Sequence, residues 1–203
     1  MQPRERRFQR TKQAILDAAL EIIREEGPGA LNMRALAERS DYSAAGLYEY
    51  FGGKDEIIAE VCQQGHERLA SHMRQADASL PVVDYLNEIG IGYICFALEN
   101  PDHFLLMFTA VPPSQDGDFS PEELLQGDSS FHILLGAIRR GIEEGVFPGR
   151  PGFGLMEMAY AAWAIVHGIA MLRVTLLRDY PMDFETADRE ALRNFARGLQ
   201  SAV

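Results

Sequence analysis

The 203 residues predict an all-α protein. Nearly every segment between Gly and Pro residues repeats its apolar side chains every three to four positions, which is the period of a helix, whereas strands would alternate every two. Runs of β-branched residues, which favour strands, are absent. For this length we expect one continuous body, or a small domain followed by a larger one.

The first four helices are predicted from apolar stripes and from residues that begin or end helices. A helix over about residues 6–26 ends at Gly27-Pro28-Gly29 and carries the stripe Phe8, Ile15, Ala19, Ile22 and Ile23. Asn32 is the expected N-cap of a second helix that ends near Ser40. Ser43 is the expected N-cap of a third, which Gly52-Gly53 ends, and a longer helix begins at Lys54 and reaches about residue 78.

The remaining helices are placed by prolines, because Pro is tolerated at the first position of a helix. Pro81, Pro101 and Pro121 predict helices over about residues 81–99, 101–110 and 121–145. A long apolar helix follows Pro148 and Pro151 and reaches about residue 178, and a last helix covers about residues 184–201.

The charge of the chain is unevenly distributed. A formal net charge of -11 and a sequence pI near 4.9 argue against nucleic-acid binding through bulk charge. Residues 1–60 carry only -2 of this charge and residues 61–203 carry -9. The first twelve residues carry +4, from Arg4, Arg6, Arg7, Arg10 and Lys12 against Glu5. Such an arm either reaches a phosphate backbone or a minor groove, or is a solvated terminus.

Several classes of protein are disfavoured by missing motifs. Cys62 and Cys95 have no CxxC spacing and the five histidines show no HExxH pattern, so we expect no metal site and no cofactor. No GxSxG or Gly-rich phosphate loop is found, which argues against an enzyme. The longest apolar run, Met158 to Leu172, is interrupted by His167 and is expected to be too short and too polar to span a bilayer. We therefore expect a cytoplasmic protein without a membrane partner.

Two short helices joined by a three-residue turn, after a first helix, are typical of a helix-turn-helix, whose second helix lies in the major groove of DNA. The stretch MRALAERSDYSAAGLYEYFGGKDEII resembles the TetR family of transcriptional regulators. The resemblance implies a helix-turn-helix DNA-binding domain over residues 1–53 and a domain for ligand binding and dimerisation over residues 54–203. It rests on Arg34, Ala37, Ser43, Gly46, Leu47, Tyr48, Tyr50, Phe51, Lys54 and Ile57.

The resemblance also implies which residues face DNA. Leu47 and Phe51, four positions apart, are expected to be buried, and Lys54 is expected to hold a phosphate together with the amides of its own helix. Tyr48 and Tyr50 are expected to project toward the duplex. The predicted DNA-binding residues are Arg34, Tyr42, Ser43, Ala44, Ala45, Gly46, Tyr48, Tyr50 and Lys54.

Two departures from the family pattern affect this interface. The turn, which usually contains Gly and a small aliphatic residue, is Asp41-Tyr42 here; Asp tolerates a left-handed conformation, and the tyrosine must pack or point at DNA. Ala44 and Ala45 carry no long polar side chain, so apolar contacts with thymine methyl groups are expected from them.

The C-terminal part contains many aromatic and methionine side chains, which either form an ordinary core or line a pocket. Trp163, His167 and Gly168, with the stretch HFLLMF, resemble the C-terminal domain of a TetR subgroup marked by a Trp, a His and a Gly. The predicted ligand-binding residues are Tyr93, Phe96, Phe104, Met107, Phe108, Tyr160, Trp163 and His167. An apolar or aromatic small-molecule effector is expected for such a lining.

The resemblance implies a homodimer formed by the last two helices. Ala161, Ala164, Gly168 and Ala170 would let a partner helix approach closely. A two-fold dimer suits a palindromic operator in double-stranded DNA, and the expected function is a repressor that an effector releases from that operator. The alternative is a helical adaptor that binds only proteins and has no DNA-binding activity.

Overall fold

The computed structural model describes residues 2–110 and 129–201, and within these ranges the chain forms α-helices and no strand. The all-α prediction is therefore confirmed. The π-helical turn Leu106–Ala110 follows directly on the short helix Pro101–Leu105. The helices are α1 (Pro3–Glu26), α2 (Met33–Ser40), α3 (Ala44–Leu47), α4 (Lys54–Met73), α5 (Val82–Glu99), α6 (Pro101–Leu105), α7 (Ser130–Glu143), α8 (Leu155–Val174) and α9 (Phe184–Gln200).

Most differences from the predicted boundaries lie at helix ends. The helix α4 ends at Met73 because the amides of Gln75 and Ala76 bond to carbonyls three residues back, which tightens the last turn. The predicted helix over residues 101–110 is α-helical only to Leu105 before the π-helical turn. The predicted start at Pro121 lies outside the described residues.

The chain divides into two compact units, the first formed by residues up to Gly65 together with the segment from Asp102. In this first unit α2 packs against α1 and α3. Ion pairs add to the packing, because the guanidinium of Arg39 on α2 lies within 4.0 Å of carboxylates on α1, the closest being Glu25 at 2.9 Å. The buried core includes Ile15, Leu16, Ala19, Ile22, Leu31, Leu36, Leu47, Phe51 and Ile57.

The second unit contains residues 66–101 and 129–201 among those described. Its central helix is α5, which packs against α7, α8 and α9. Arg140 on α7 holds the loop before α5 by donating hydrogen bonds to the carbonyls of Ala78 and Leu80, at 2.8 and 3.0 Å. Arg173 on α8 forms a largely buried ion pair with Asp188 on α9 and lies over the ring of Phe184.

Helix α8 ends at Val174, before the predicted end near residue 178, and it extends past both ends of the apolar run Met158 to Leu172. By length and composition it could cross a membrane, since an 18-residue window within Leu155–Val174 has a mean hydropathy of 1.5. Length and composition alone are met here because the helix includes residues beyond both ends of the run, and the core helix of a globular protein meets the same two conditions. Only 28% of the window is buried, and the buried residues face α5, α7 and α9.

Candidate nucleic-acid interface and effector site

Side-chain caps at their N-termini begin both α2 and α3. The Asn32 carboxamide oxygen accepts hydrogen bonds from the amides of Arg34 and Ala35, at 3.1 and 3.0 Å, which confirms the predicted N-cap. Asp41 ends α2 in the left-handed conformation with φ of 61°, as expected for an Asp in this turn. The Ser43 hydroxyl then accepts from the amide of Gly46 at 3.0 Å and begins α3.

The helix α3 is shorter than predicted. It covers only Ala44–Leu47, because the amides of Glu49 and Tyr50 bond to carbonyls three residues back and tighten the chain into turns. Leu47 and Phe51 are buried, as the resemblance implied. Gly46 has a local role, since a side chain there would begin 3.2 Å from the Ser43 hydroxyl and crowd the cap.

Leu47 and Phe51 anchor α3 in the core, and other residues of α3 are exposed. Ala44 and Ala45 are exposed, and Tyr48 has 57% of its surface exposed. Arg34 on α2 projects into solvent with 89% of its side chain exposed and pairs with Glu38 at 3.2 Å. Each of these predicted residues is therefore accessible, and their methyl, hydroxyl and guanidinium groups are of the kinds that contact base edges and phosphates.

Tyr42 and Tyr50 are less free to face a duplex, because both contact α1. The ring of Tyr50 stacks on Phe8, with centroids 4.7 Å apart and an interplanar angle of 25°, and meets Tyr42 edge-on at 6.4 Å. The hydroxyls of Tyr42 and Thr11 share a hydrogen bond at 3.3 Å. The tyrosine in the turn thus packs, and Tyr50 is half-buried.

The structure also corrects the prediction for Phe8, which does not belong to the buried stripe of α1. The buried face begins at Ile15, and Phe8 is 41% exposed. Phe8 and Thr11 are contacts that the sequence analysis missed. One signal was present, because arginines surround Phe8, whereas the neighbours of the buried residues are mostly apolar.

Lys54 lies at the first position of α4. Its ammonium donates to the carbonyl of Pro28 at 3.1 Å, which ties α4 to the loop after α1. An ammonium carries further N–H donors, so the same group can also reach a phosphate. One backbone amide near Lys54 already has a carboxylate partner, because the amide of Gly52 donates to the Glu56 carboxylate at 2.5 Å. The carboxylates of Asp55 and Glu56 complement the helix dipole and compete with an anion there.

In the second unit, three predicted ligand residues form a hydrogen-bonded group. The indole N–H of Trp163 donates to the Tyr93 hydroxyl at 3.4 Å, and that hydroxyl lies 2.9 Å from Nδ1 of His167. When the tyrosine donates to Nδ1, all three groups are satisfied. Phe131 packs on the indole with centroids 5.7 Å apart.

Burial controls protonation within this group. Tyr93 is only 3% exposed, and burial raises the pKa of its hydroxyl far above the usual range, while the hydrogen bond from Trp163 lowers it slightly. Burial also lowers the pKa of His167. A neutral imidazole that accepts at Nδ1 carries its proton on Nε2, which leaves that N–H as a donor.

The other predicted ligand residues are divided between the two units. Phe104, Met107 and Phe108 lie in the first unit, where the rings of Phe104 and Phe108 are 5.1 Å apart. In the second unit Phe96 is fully buried, and Tyr160 is 68% exposed on the outer side of α8. No group of His, Cys, Asp or Glu residues with the geometry of a metal site occurs in the described ranges.

Both parts of the chain match known families. Residues 15–61 match the family described as bacterial regulatory proteins, tetR family. Residues 86–198 match the family described as tetracyclin repressor-like, C-terminal domain.

Three curated proteins illustrate the similarity. The uncharacterized HTH-type transcriptional regulator YobS of Bacillus subtilis (strain 168) is 28% identical over 94 residues, 46% of this chain and 49% of that protein. The regulator UidR of Escherichia coli (strain K12) is 32% identical over 80 residues, 39% and 41% of the two chains. The repressor KstR of Rhodococcus jostii (strain RHA1) is 32% identical over 71 residues, 35% and 34%. The chain thus spans about half the length, or less, of these curated relatives.

Solved structures share the fold over nearly the whole chain. A protein of unknown function from Rhodococcus sp. RHA1 superposes with a TM-score of 0.75 at 21% identity, covering 94% of this chain and 96% of that one. The TetR family regulator PfmR from Thermus thermophilus gives a TM-score of 0.67 at 25% identity, covering 92% and 99%.

The capped helix pair and the helical body define a transcriptional regulator of the helix-turn-helix class. The match to the C-terminal family covers more than half of the 203 residues, and the chain belongs to the TetR family. Regulators of this family bind operator DNA, respond to small-molecule effectors and act as dimers.

Proposed function

We propose that this protein is a cytoplasmic, homodimeric repressor that binds a double-stranded operator and leaves it when a small apolar or aromatic molecule binds. The observation that carries the proposal is the exposed surface of α3, which the caps of Asn32 and Ser43 hold over the buried Leu47 and Phe51. The similarity to KstR, which is named a repressor, supports repression over activation. We divide the function between residues 1–53, which bind DNA, and residues 54–203, which bind the effector and the second copy.

The proposed DNA contacts follow from side-chain chemistry. The exposed hydroxyl of Tyr48 and the ammonium of Lys54 bind phosphates, which sets the position of α3 on the duplex. Ala44 and Ala45 contact thymine methyl groups, and Arg34 reaches a base edge or a phosphate beside them. Ser43 and Gly46 bring the backbone close to the duplex. Tyr42 and Tyr50 line the edge of the same surface.

The proposed dimer uses the exposed side of α8, together with α9. Tyr160, Ala164, Gly168 and Leu172 follow each other at intervals of one helical turn, and a side chain added at Gly168 would meet open space. A largely apolar stripe of this kind on an exposed helix marks a contact with another helix. Two copies related by two-fold symmetry would present their recognition helices to adjacent major grooves, roughly 34–36 Å apart.

The proposed effector site centres on Tyr93, Trp163 and His167. Their rings supply apolar surface, and the hydrogen-bonded polar atoms supply orientation, which suits an apolar or aromatic molecule with one polar group. The resemblance of Trp163, His167 and Gly168 to the pattern of a TetR subgroup supports this position. Binding changes the tilt of α4 and hence the spacing of the two recognition helices, and the rigid duplex cannot follow. The opposing interpretation is that the three residues only satisfy each other in the core.

Selection from a random duplex library tests DNA binding directly. The full chain should enrich a two-fold symmetric sequence and retard that duplex on a gel, while a scrambled duplex of equal length is not retarded. A protein-interaction adaptor would enrich no sequence. Absence of enrichment at low salt, where phosphate contacts are strongest, would contradict the proposal.

Fluorescence tests the effector site, because Trp163 is the only tryptophan. A compound that releases the selected duplex should change the emission, and Trp163→Ala should alter release while duplex affinity without the compound stays the same. Tyr180→Ala, an exposed aromatic residue outside this group, serves as the control. If Trp163→Ala only lowers stability and no releasing compound changes the emission, the residue belongs to the core.

A further inference from the structure

An aromatic contact joins the basic N-terminal part of α1 to the turns that follow α3. Phe8 stacks on Tyr50, and one helical turn further along α1 the hydroxyl of Thr11 bonds to that of Tyr42. Both contacts involve residues that remain partly exposed, so they are not part of the buried core. The helix begins at Pro3, three residues before the predicted start near residue 6, so Arg4 is helical together with the other arginines of the segment.

The contacts fix the rotation of this helix and therefore the directions of its arginines. At about 100° per residue, Arg4 lies about 40° from Phe8, on the same side of α1. Arg7 precedes Thr11 by one turn and so lies on the side that meets Tyr42.

The other two arginines point elsewhere. Arg6 and Arg10 are each two positions from Phe8, which places them about 200° around the helix. All four arginines are exposed. On the other flank of Phe8, Lys12 pairs with Glu60 of α4 at 3.0 Å and lies over the ring of Phe51, so its charge supports the fold of the unit.

We propose that Phe8 is a positioning residue for DNA binding: its stack on Tyr50 holds Arg4 and Arg7 at the edge of the α3 surface, where they bind operator phosphates. This inference rests on the proposed function. It explains why an acidic protein exposes Phe8 on the ring of Tyr50, since the ring of Phe8 sets the direction of two cations. It also makes the interface wider than α3 and Lys54 alone.

The test compares two pairs of charge variants on the duplex that the full chain selects from a random library. The double variant Arg4→Gln with Arg7→Gln should make the plot of log affinity against log salt less steep by about 1.8 per protomer. This value corresponds to about 0.9 for each lost phosphate contact. Arg6→Gln with Arg10→Gln removes the same charge from the same helix and should leave the slope nearly unchanged. Equal effects of the two pairs would mean that the segment acts only as diffuse charge, which overturns the inference.

Variants of Phe8 test positioning without changing charge. Phe8→Ala should weaken duplex binding by about threefold to tenfold per half-site, on the scale of a lost aromatic pair, and should lower the salt slope because the arginines are no longer held. Phe8→Tyr keeps the ring and should restore both values. The melting temperature should change little, because Phe8 is partly exposed. Unchanged affinity and slope in Phe8→Ala would overturn the assignment.

Failure of the inference and failure of the proposed function have different signatures. If the protein selects a duplex and Lys54→Ala weakens its binding, the proposed function holds. If Phe8→Ala then leaves the duplex affinity and the salt slope unchanged, only the positioning role of Phe8 is removed. If no duplex is selected at all, the proposed function fails and the inference fails with it.

Discussion

Gly92→Ala is expected to destabilise the second unit, although Ala normally favours a helix. Gly92 lies on α5 where that helix crosses the end of α4. A methyl group there would lie 2.8 Å from the carbonyl oxygen of His72 and 3.1 Å from Cα of Met73. These atoms belong to the backbone of α4, so the strain cannot be relieved by rotating a side chain.

The change in the free energy of unfolding caused by Gly92→Ala follows from two opposing contributions. Replacing Gly by Ala inside a helix stabilises by about 1 kcal/mol. Overpacking costs about 1–3 kcal/mol, and the upper half of that range applies because a helix backbone must shift. The free energy of unfolding should therefore fall by roughly 1–2 kcal/mol, or about 2–8 °C in melting temperature for a chain of this size.

Gly136→Ala is the matched control. Gly136 lies inside α7, is exposed, and has no atom within 4 Å of an added methyl group. This variant should gain up to about 1 kcal/mol from helix propensity alone. Urea unfolding at one protein concentration measures both variants, because a dimer's apparent stability depends on concentration. If Gly92→Ala is as stable as Gly136→Ala, α5 and α4 do not approach this closely and the reasoning fails.

Three further predictions concern the interface, assembly and pH dependence. Lys54→Ala should weaken binding about equally across operator variants and lower the salt slope by about one per protomer, as measured by gel retardation at several salt concentrations; an unchanged slope would remove the phosphate contact. Gly168→Leu should shift the protein toward monomers in light scattering, because bulk at a close helix crossing is not accommodated, and an intact dimer would place the interface elsewhere. Arg173→Met should cost about 3 kcal/mol near neutral pH by leaving a buried carboxylate unpaired, as measured by urea unfolding. Burial raises the pKa of Asp188 above its unfolded value and Arg173 lowers it, so the loss should shrink as pH falls and the carboxyl group folds protonated; an equal loss at pH 4 and pH 7 would contradict this assignment.

Local chemistry made much of the first unit predictable from sequence. Asn32 and Ser43 are caps because a short polar side chain can satisfy amides that a helix leaves without partners, and this requires only neighbouring residues. The four-residue spacing of Leu47 and Phe51 likewise assigns both to one buried side. These features depend on contacts within one or two helical turns.

Contacts between distant residues were not predictable in the same way. Phe8 and Tyr50 are far apart in sequence, and no local pattern distinguishes a ring that enters the core from one that stacks at the surface. The group of Tyr93, Trp163 and His167 depends on how α5 and α8 pack, although the one-turn spacing of the last two was visible in the sequence.

The amino-acid sequence by itself determined the all-α class, the capped helix-turn-helix and the family, because helical periodicity and capping residues act over a few neighbouring positions. The tertiary structure alone decided that Phe8 stacks on Tyr50, that Lys54 is bonded to Pro28, and that Tyr160 faces outward while Trp163 faces Tyr93. These outcomes depend on the rotation of one helix relative to another, and that rotation is set by the packing of many side chains together.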